Sequence, residues 1–470
     1  LRSRPAVSFT ENTISGRCRM KSASLWKNAG RMMFAGMLTV MFSVSDAVCV
    51  DETHVQKDVA ATVLRVGERA PTPHKFTKTL QDITFISDYD NGSLGGVTEA
   101  GPNTFNCTLH VEQSSQGLGP RSYWFRFKMS GVAGKKITLN IDHRESPRPW
   151  VRTHNTDWRQ ATAAEAPNTS RLVFEFPKSE NEAEVSFYEP WGYQETVDAV
   201  SEIVDRSRYA TMEVLGQSFE GRDLHMITVT NPDLPDDDKY RVWIHSRAHA
   251  GEVTSTHNLI GFLEQVTEES AVGNNLRSNV IFNIVPLLNV DGVALGHTRW
   301  DSQGLDPERQ WCNPTAHPEV ALLKTKVDEF MAGPNPIRIA LNLHSTKGNW
   351  TDTFFFKHLY PSVSRNFETI QQNYIDAFDN ATPLFDNLSA QASQLSACLF
   401  IESYFWNNWG ETVMALTHEG HFRRRITDGA WIEGRDYEKL GAAQARAAIE
   451  YFGLPNETNY NAPTDNWFVW

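Results

Sequence analysis

Three polar clusters each follow an apolar run: "WIHSRAHAGE" (243–252), "LNLHSTKG" (341–348) and "LTHEGHFRRR" (416–425). In the first, His249 and Glu252 form a His-x-x-Glu pair, which a tight turn or first helical turn sets on one side of the chain. Neutral imidazole and carboxylate are zinc ligands, and a catalytic zinc takes three protein ligands and keeps one position open. The third ligand has to arrive from another strand end. His344, 344 − 249 = 95 positions later, closes the apolar run "IRIALNL". The plainer readings are a solvated loop for the pair and a hydrogen-bonded core histidine for His344, and His245 competes from inside its strand. In the third cluster His418, Glu419 and His421 resemble a broken His-Glu-x-x-His signature. The histidines are three apart instead of four, so they do not share one helix face as that signature requires.

The elements that must position these residues fall into two textures. From Thr84 to Tyr188, runs such as "SYWFRFKMSG", "KKITLNID" and "RLVFEFPKS" are aromatic and β-branched and are punctuated by Gly, Asn, Pro and Ser. Such spacing predicts an antiparallel sandwich. Tyr193 to Arg206 reads as an amphipathic helix. Strand and helix signals then alternate through "YRVWIHS", "STHNLIGFLEQVTE", "SNVIFNIVPLLN", "PEVALLKTKVDEFM", "IRIALNLHS", "ETVMALTHE" and "AAQARAAIEYFGL". That alternation predicts an α/β unit, a buried sheet with helices on both faces, with ligands bound where loops leave the carboxyl ends of strands.

"GQSFEGRDL" (216–224), "HAGE" (249–252), "PLLNVDGVALGHTRW" (286–300), "DPERQW" (306–311), "LNLHS" (341–345) and "ALTHE" (415–419) occur in the order found in zinc metallocarboxypeptidases. The chain resembles the cytosolic carboxypeptidase-like branch, which also carries a β-sandwich before the catalytic domain; the resemblance covers roughly residues 84–453. It implies a mixed, mostly parallel sheet for residues 193–470, preceded by an all-β sandwich over 84–192. It also implies one Zn2+ per chain held by His249, Glu252 and His344, with Glu419 as general base to a zinc-activated water. Arg299 would stabilise the oxyanion and Arg309 would grip the substrate's terminal carboxylate. Glu308 stands where the family usually has Asn, and it either pairs with Arg309 or faces an amine on the substrate. Tyr404 is the candidate for an active-site tyrosine or the pocket wall, against a buried aromatic contact. Asn289 and Asp291 either order the loop presenting Arg299 or make a simple turn, and Arg423, Arg424 and Arg425, just beyond the base, read as a basic pocket or as a solvated charge run.

The activity implied is removal of C-terminal residues from peptides or proteins. The alternatives are a zinc amidase or deacylase acting on cell-wall peptides or acylated amino acids, and a non-catalytic binding protein with a vestigial site. A net charge of −13 argues against a nucleic-acid partner, because counterion release needs a basic surface. At the start, Lys21, Lys27 and Arg31 precede an apolar run from about Met33 to Val44 and then Ser45-Asp46-Ala47. That order predicts a signal peptide within residues 1–47, cut after Ala47, with residues 1–19 as an upstream extension and 48–83 as a linker. The protein is therefore expected to be exported, periplasmic or extracellular, with no stable membrane insertion after cleavage. Five cysteines without a CxxC pair argue against a cysteine zinc site and a disulfide framework.

Overall fold

A computed structural model describes residues 74–311, 317–347, 352–386, 391–393, 399–425 and 428–455. The segments expected as signal peptide and upstream extension, and most of the expected linker, lie outside the described residues. Strands β1 (Thr77–Leu80), β2 (Ile83–Ile86), β3 (Gly96–Gly101), β4 (Thr104–Thr108), β5 (Arg126–Ser130), β6 (Lys136–Asn140), β7 (Trp150–Thr153), β8 (Arg159–Gln160), β9 (Arg171–Glu175) and β10 (Glu182–Ser186) make the β-rich region. They form a six-stranded sheet in the order β1-β2-β5-β10-β7-β8 and a four-stranded sheet in the order β3-β4-β6-β9. Strand β1 starts upstream of residue 84, within the stretch expected as linker.

Alternation along β4 and β9 buries Phe105, Cys107, Leu172 and Phe174 while their neighbours stay half-buried or exposed. Those inward residues share one core with Phe85, Phe127, Met129 and Val185 of the other sheet. The antiparallel expectation holds for the first sheet, but β4 and β6 pair in parallel. The connection from β4 to β6 passes through β5 in the other sheet, so β6 returns beside β4 in the same direction.

The second unit is built on β11 (Ala210–Gln217), β12 (Asp223–Val229), β13 (Tyr240–Ser246), β14 (Val280–Val285), β15 (Ile337–Ser345), β16 (Phe354–His358), β17 (Gln391–Ser393) and β18 (Met414–Gly420). Their order is β11-β12-β14-β13-β15-β18-β16-β17. The four central strands run parallel. Successive side chains go to opposite faces of a strand. Val242, Ile244, Leu341, Leu343, Met414 and Leu416 therefore pack with the helices Thr254–Thr267, Arg365–Ala381 and Gly434–Phe452. Trp243, Ala340 and Ala415 meet the helices Pro318–Ala332 and Ile401–Trp409 on the other side. Both faces are covered, which is why these strands read as near-continuous apolar runs.

The two parts are stitched together. Arg126 of β5 is 2% exposed and bonds Glu184 at 2.7 Å within the β-rich region. It also bonds Glu195, on the first helix of the second unit (Tyr193–Asp205), with two 2.7 Å hydrogen bonds. No helix among the described residues is long and apolar enough to cross a membrane.

Candidate active site

Strand β13 ends at Ser246, and Arg247 takes a left-handed turn (φ 57°) that redirects the chain into "AHAGE". A glycine is required at 251, because a Cβ there would stand 2.9 Å from the Thr298 carbonyl oxygen. His249 and Glu252 follow from this turn, and His344 is the penultimate residue of the neighbouring strand β15. All three are buried, and one ligand atom from each lies within 4.8 Å of the others. His249 Nδ1 is 2.8 Å from Glu252 Oε1; His344 Nδ1 is 2.8 Å from Glu252 Oε2 and 3.1 Å from His249 Nδ1.

The outward nitrogens explain this crowding. His249 Nε2 lies 3.2 Å from Asp306 Oδ1, and His344 Nε2 lies 3.2 Å from Glu308 Oε2. Each Nε2–H donates to a carboxylate, so both Nδ1 atoms turn lone pairs towards the Glu252 carboxylate. Three acceptors facing one another could hold a cation between them, and two imidazoles plus one carboxylate, each histidine backed by a carboxylate, is a fitting donor set for zinc. A proton competes for the same place. Burial opposes charging His344, but Glu252 and Glu308 hold its pKa well above the ordinary histidine value. Burial likewise works against the Glu252 carboxylate, and His249 and His344 overcome it and hold its pKa low.

The cavity over this centre has a volume of about 690 Å³. Glu419, near the end of β18, lines it, with Oε2 buried and no hydrogen-bond partner among the described residues. Burial, reinforced by the nearby Glu252, pushes its carboxyl up to about 8. Arg299 also lines the cavity and is held by Asp306 through Nε (3.1 Å) and Nη2 (2.8 Å), while its Nη1 lies 3.4 Å from His249 Nδ1. Arg309 lies over the Phe400 ring at 4.4 Å and opens onto the same space.

The loop carrying Arg299 is ordered from below and from the β-rich region. Asn289 donates to the Arg299 carbonyl (3.1 Å) and accepts from Gly292 N (2.9 Å), as expected of a loop-ordering residue. Asp291 accepts from Ser218, Glu220 N, Arg222 and Ser302, which ties "GQSFEGRDL" to that loop. Glu112, a buried carboxylate from the β-rich region, accepts from the backbone N–H groups of Thr298, Arg299 (2.9 Å) and Trp300 (2.8 Å). Arg121 and Tyr123 from the same region reach the cavity wall.

Two expectations change. Glu308 neither pairs with Arg309 nor waits free for a substrate amine. It is buried, its oxygens are taken by His344 and Asn342, and its neighbour in the floor is Glu402, whose carboxyl burial and Glu308 push up to about 7. Tyr404 does not line the cavity. Two positions along a helix is about 200° of turn, so while Glu402 faces the centre, Tyr404 packs against Trp311 and Trp409 and donates to Asp328 at 2.5 Å. The buried aromatic contact is the outcome.

His418 and His421 serve the scaffold. His418 is bonded by Asn258, Gln444 and Thr353, and His421 Nδ1 accepts from Arg423 N at 3.2 Å. Arg423, Arg424 and Arg425 bond Arg144 O, Gly429 O and Asp428, away from the cavity. The roles of Asp306, Glu112, Arg121, Tyr123 and Glu402 were not foreseen. Asp306 had a signal, a carboxylate two residues before Glu308 in "DPERQW". Glu112, Arg121 and Tyr123 had none, because their link to the site is purely tertiary.

A buried two-histidine, one-glutamate group at the carboxyl ends of a parallel sheet could hold a metal ion where such sheets bind ligands. Residues 198–383 match the zinc carboxypeptidase family profile. The curated relatives include mouse cytosolic carboxypeptidase 6, 25% identical over 57% of this chain and 54% of its own length. Cytosolic carboxypeptidase 6 of Caenorhabditis elegans is 24% identical over 79% of this chain and 87% of its own. Human cytosolic carboxypeptidase 4 is 25% identical over 52% of this chain, which spans only 26% of that protein. Most of these relatives are thus longer than the part this chain matches. Among solved structures, a metallo-carboxypeptidase from Burkholderia cenocepacia superposes with a TM-score of 0.67 at 19% identity, over 79% of this chain and 99% of that one. That likeness shows the shared fold, β-rich region included.

Proposed function

We propose that this protein is a zinc-dependent carboxypeptidase that removes C-terminal residues from peptides or proteins. The observation that carries the reading is the convergence of His249, Glu252, His344, Glu419, Arg299 and Arg309 on one cavity. Zinc, when bound, would supply Lewis-acid activation of water and of the scissile carbonyl. Glu419 has an uncommitted oxygen in the cavity; the charge of a dication held by His249, Glu252 and His344 would favour its ionised form, which takes the proton from the attacking water and then passes it to the leaving amine. Arg299, fixed by Asp306, directs a guanidinium edge at the developing oxyanion. Arg309 has no ion-pair partner among the described residues and grips the terminal carboxylate, which selects a chain end.

Glu308 was the ground for an amidase or deacylase reading, since a free carboxylate beside the clamp would repel the substrate's own. Its oxygens are engaged by His344 and Asn342, which supports the carboxypeptidase reading over that one. The test is digestion of a peptide library bearing free or amidated C-termini by zinc-loaded protein, read by mass spectrometry. Single-residue loss from free termini alone supports the proposal; equal rates on amidated peptides overturn it. The basic, apolar and small-residue order of residues 20–47 supports export of this enzyme. A mature protein from the native host that still begins upstream of residue 47 would refute that part.

A further inference from the structure

A second cluster of metal-ligating side chains lies where the β-rich region meets the loop that carries Arg299. His74 precedes β1, His110 follows β4, and His297 stands two residues before Arg299. One ring nitrogen from each lies within 4.8 Å of the others. His74 is buried and the other two are half-buried.

Hydrogen bonds decide which nitrogens face inward. His74 Nε2 donates to the Leu295 carbonyl at 2.8 Å. Its Nδ1 is left buried without a hydrogen-bond partner. His297 Nδ1 donates to the carbonyls of Trp300 (3.1 Å) and Asp301 (3.2 Å), which frees Nε2. A carbonyl on one ring nitrogen and an open lone pair on the other is how metal-ligating histidines are oriented. His110 stacks on His74 at 3.8 Å between centroids and lies 5.7 Å from His297.

His74 and His110 are held neutral, as ligands must be. Burial, aided by His110 and His297, takes His74 down to about 2, and burial with His297 takes His110 to about 4. The adjacent ammonium of Lys75 is directed to the carbonyls of Tyr89, Gly92 and Ala294. Glu112 Oε2, 3.8 Å from His297 Nδ1, supplies negative charge nearby.

We propose that His74, His110 and His297 form a second metal site, for a divalent late transition ion such as Zn2+, which pins the Arg299 loop to the β-rich region. Imidazole sets suit zinc, copper and nickel. A tetrahedral zinc places its nitrogens roughly 3.3 Å apart, so His110 would turn out of its stack on His74 to bring its nitrogen onto the ion. The site tethers residues 297–300 to two segments far upstream, leaves a coordination position for water, and does not touch the cavity.

The test counts metal on the full chain, stripped with a chelator and dialysed against Zn2+. Wild type should bind two equivalents, and His110→Ala and His110→Asn one each. His344→Ala should also bind one, now at the three-histidine site. Thermal unfolding of His344→Ala should rise on adding Zn2+, and that rise should vanish when His110→Ala is added. Two equivalents in both His110 variants, or one equivalent in wild type that His344→Ala abolishes, would overturn the second site and leave the catalytic reading standing. One equivalent in wild type, lost in His110→Ala and kept in His344→Ala, would support the second site and sink the catalytic one.

Discussion

His344 and Glu419 are register partners: their Cα positions pair across the parallel strands β15 and β18, one residue before each strand ends. Residues opposite one another on adjacent strands present their side chains on the same face of the sheet. A proposed zinc ligand and the proposed base are thereby set side by side by the sheet itself, whose spacing does not depend on loop motion. Glu419→Gln keeps the shape and removes the base. Turnover should fall by about 10²–10⁴-fold, the usual worth of a general base, with zinc content unchanged. Near-wild-type turnover with zinc bound would reassign the base.

Glu308 backs His344 through Nε2 at 3.2 Å. Replacing such an outer partner typically costs about 10–100-fold in metal affinity. Glu308→Gln should weaken zinc binding by that order, measured by competition with a coloured chelator, and Asp306→Asn should do the same through His249. If Glu308→Gln alters only KM for peptides and leaves zinc affinity unchanged, the residue acts on substrate.

Glu112 collects three backbone N–H groups from the stretch that carries Arg299. In Glu112→Gln an amide NH2 faces one of those donors, so the loop loses a fixed position while the cavity keeps every side chain. kcat should drop with little change in KM. The drop should be smaller than the loss of about 2.7–4 kcal/mol expected for removing an oxyanion donor outright, as in Arg299→Ala. An unchanged kcat in a folded variant would show that Arg299 is positioned by Asp306 alone.

Arg309 should matter only for substrates with a free terminus. Arg309→Ala should lower kcat/KM on free-carboxyl peptides by roughly 10–100-fold, corresponding to a charged hydrogen bond of about 1.5–3 kcal/mol, mostly through KM. Equal losses on amidated peptides would argue against the clamp.

The junction built on Arg126 predicts an acid-sensitive stability. Burial works against the Glu184 and Glu195 carboxylates, but Arg126, with Arg152, holds both pKa values below the ordinary carboxylate range. For depressed carboxyls the stabilisation is complete above the unfolded value, about 4.3, and is lost as pH falls through the folded values. The difference in urea midpoint between wild type and Glu184→Gln, which isolates this network from the raised carboxyls of the active site, should therefore be constant from neutrality to about pH 5 and shrink below it. Glu184→Gln should cost about 3 kcal/mol at pH 7, the low end for a broken buried pair because Glu195 still serves Arg126, and should flatten the acid limb. A midpoint equal to wild type at pH 7 would show that the network contributes nothing net.

Much of the second unit is written in local pattern. "IRIALNLHS" is strand β15 from Ile337 to Ser345, and "PEVALLKTKVDEFM" lies in the helix Pro318–Ala332. Both are readable because period and length are properties of contiguous residues. His249, Glu252 and His344 were nameable for the same reason: each sits at the end of a strand signal, and strand ends are where such sheets bind ligands. What the chain alone left open are the relations between distant segments. Whether Glu308 faces substrate or His344, and whether Tyr404 faces the cavity or Trp311, depends on the rotation of elements about their own axes, which packing sets. That Glu112 holds the Arg299 loop, and that His74 and His110 meet His297, depends on how the β-rich region docks. Those contacts span more than 180 residues of sequence, where no periodicity carries information and only the folded core brings the groups together.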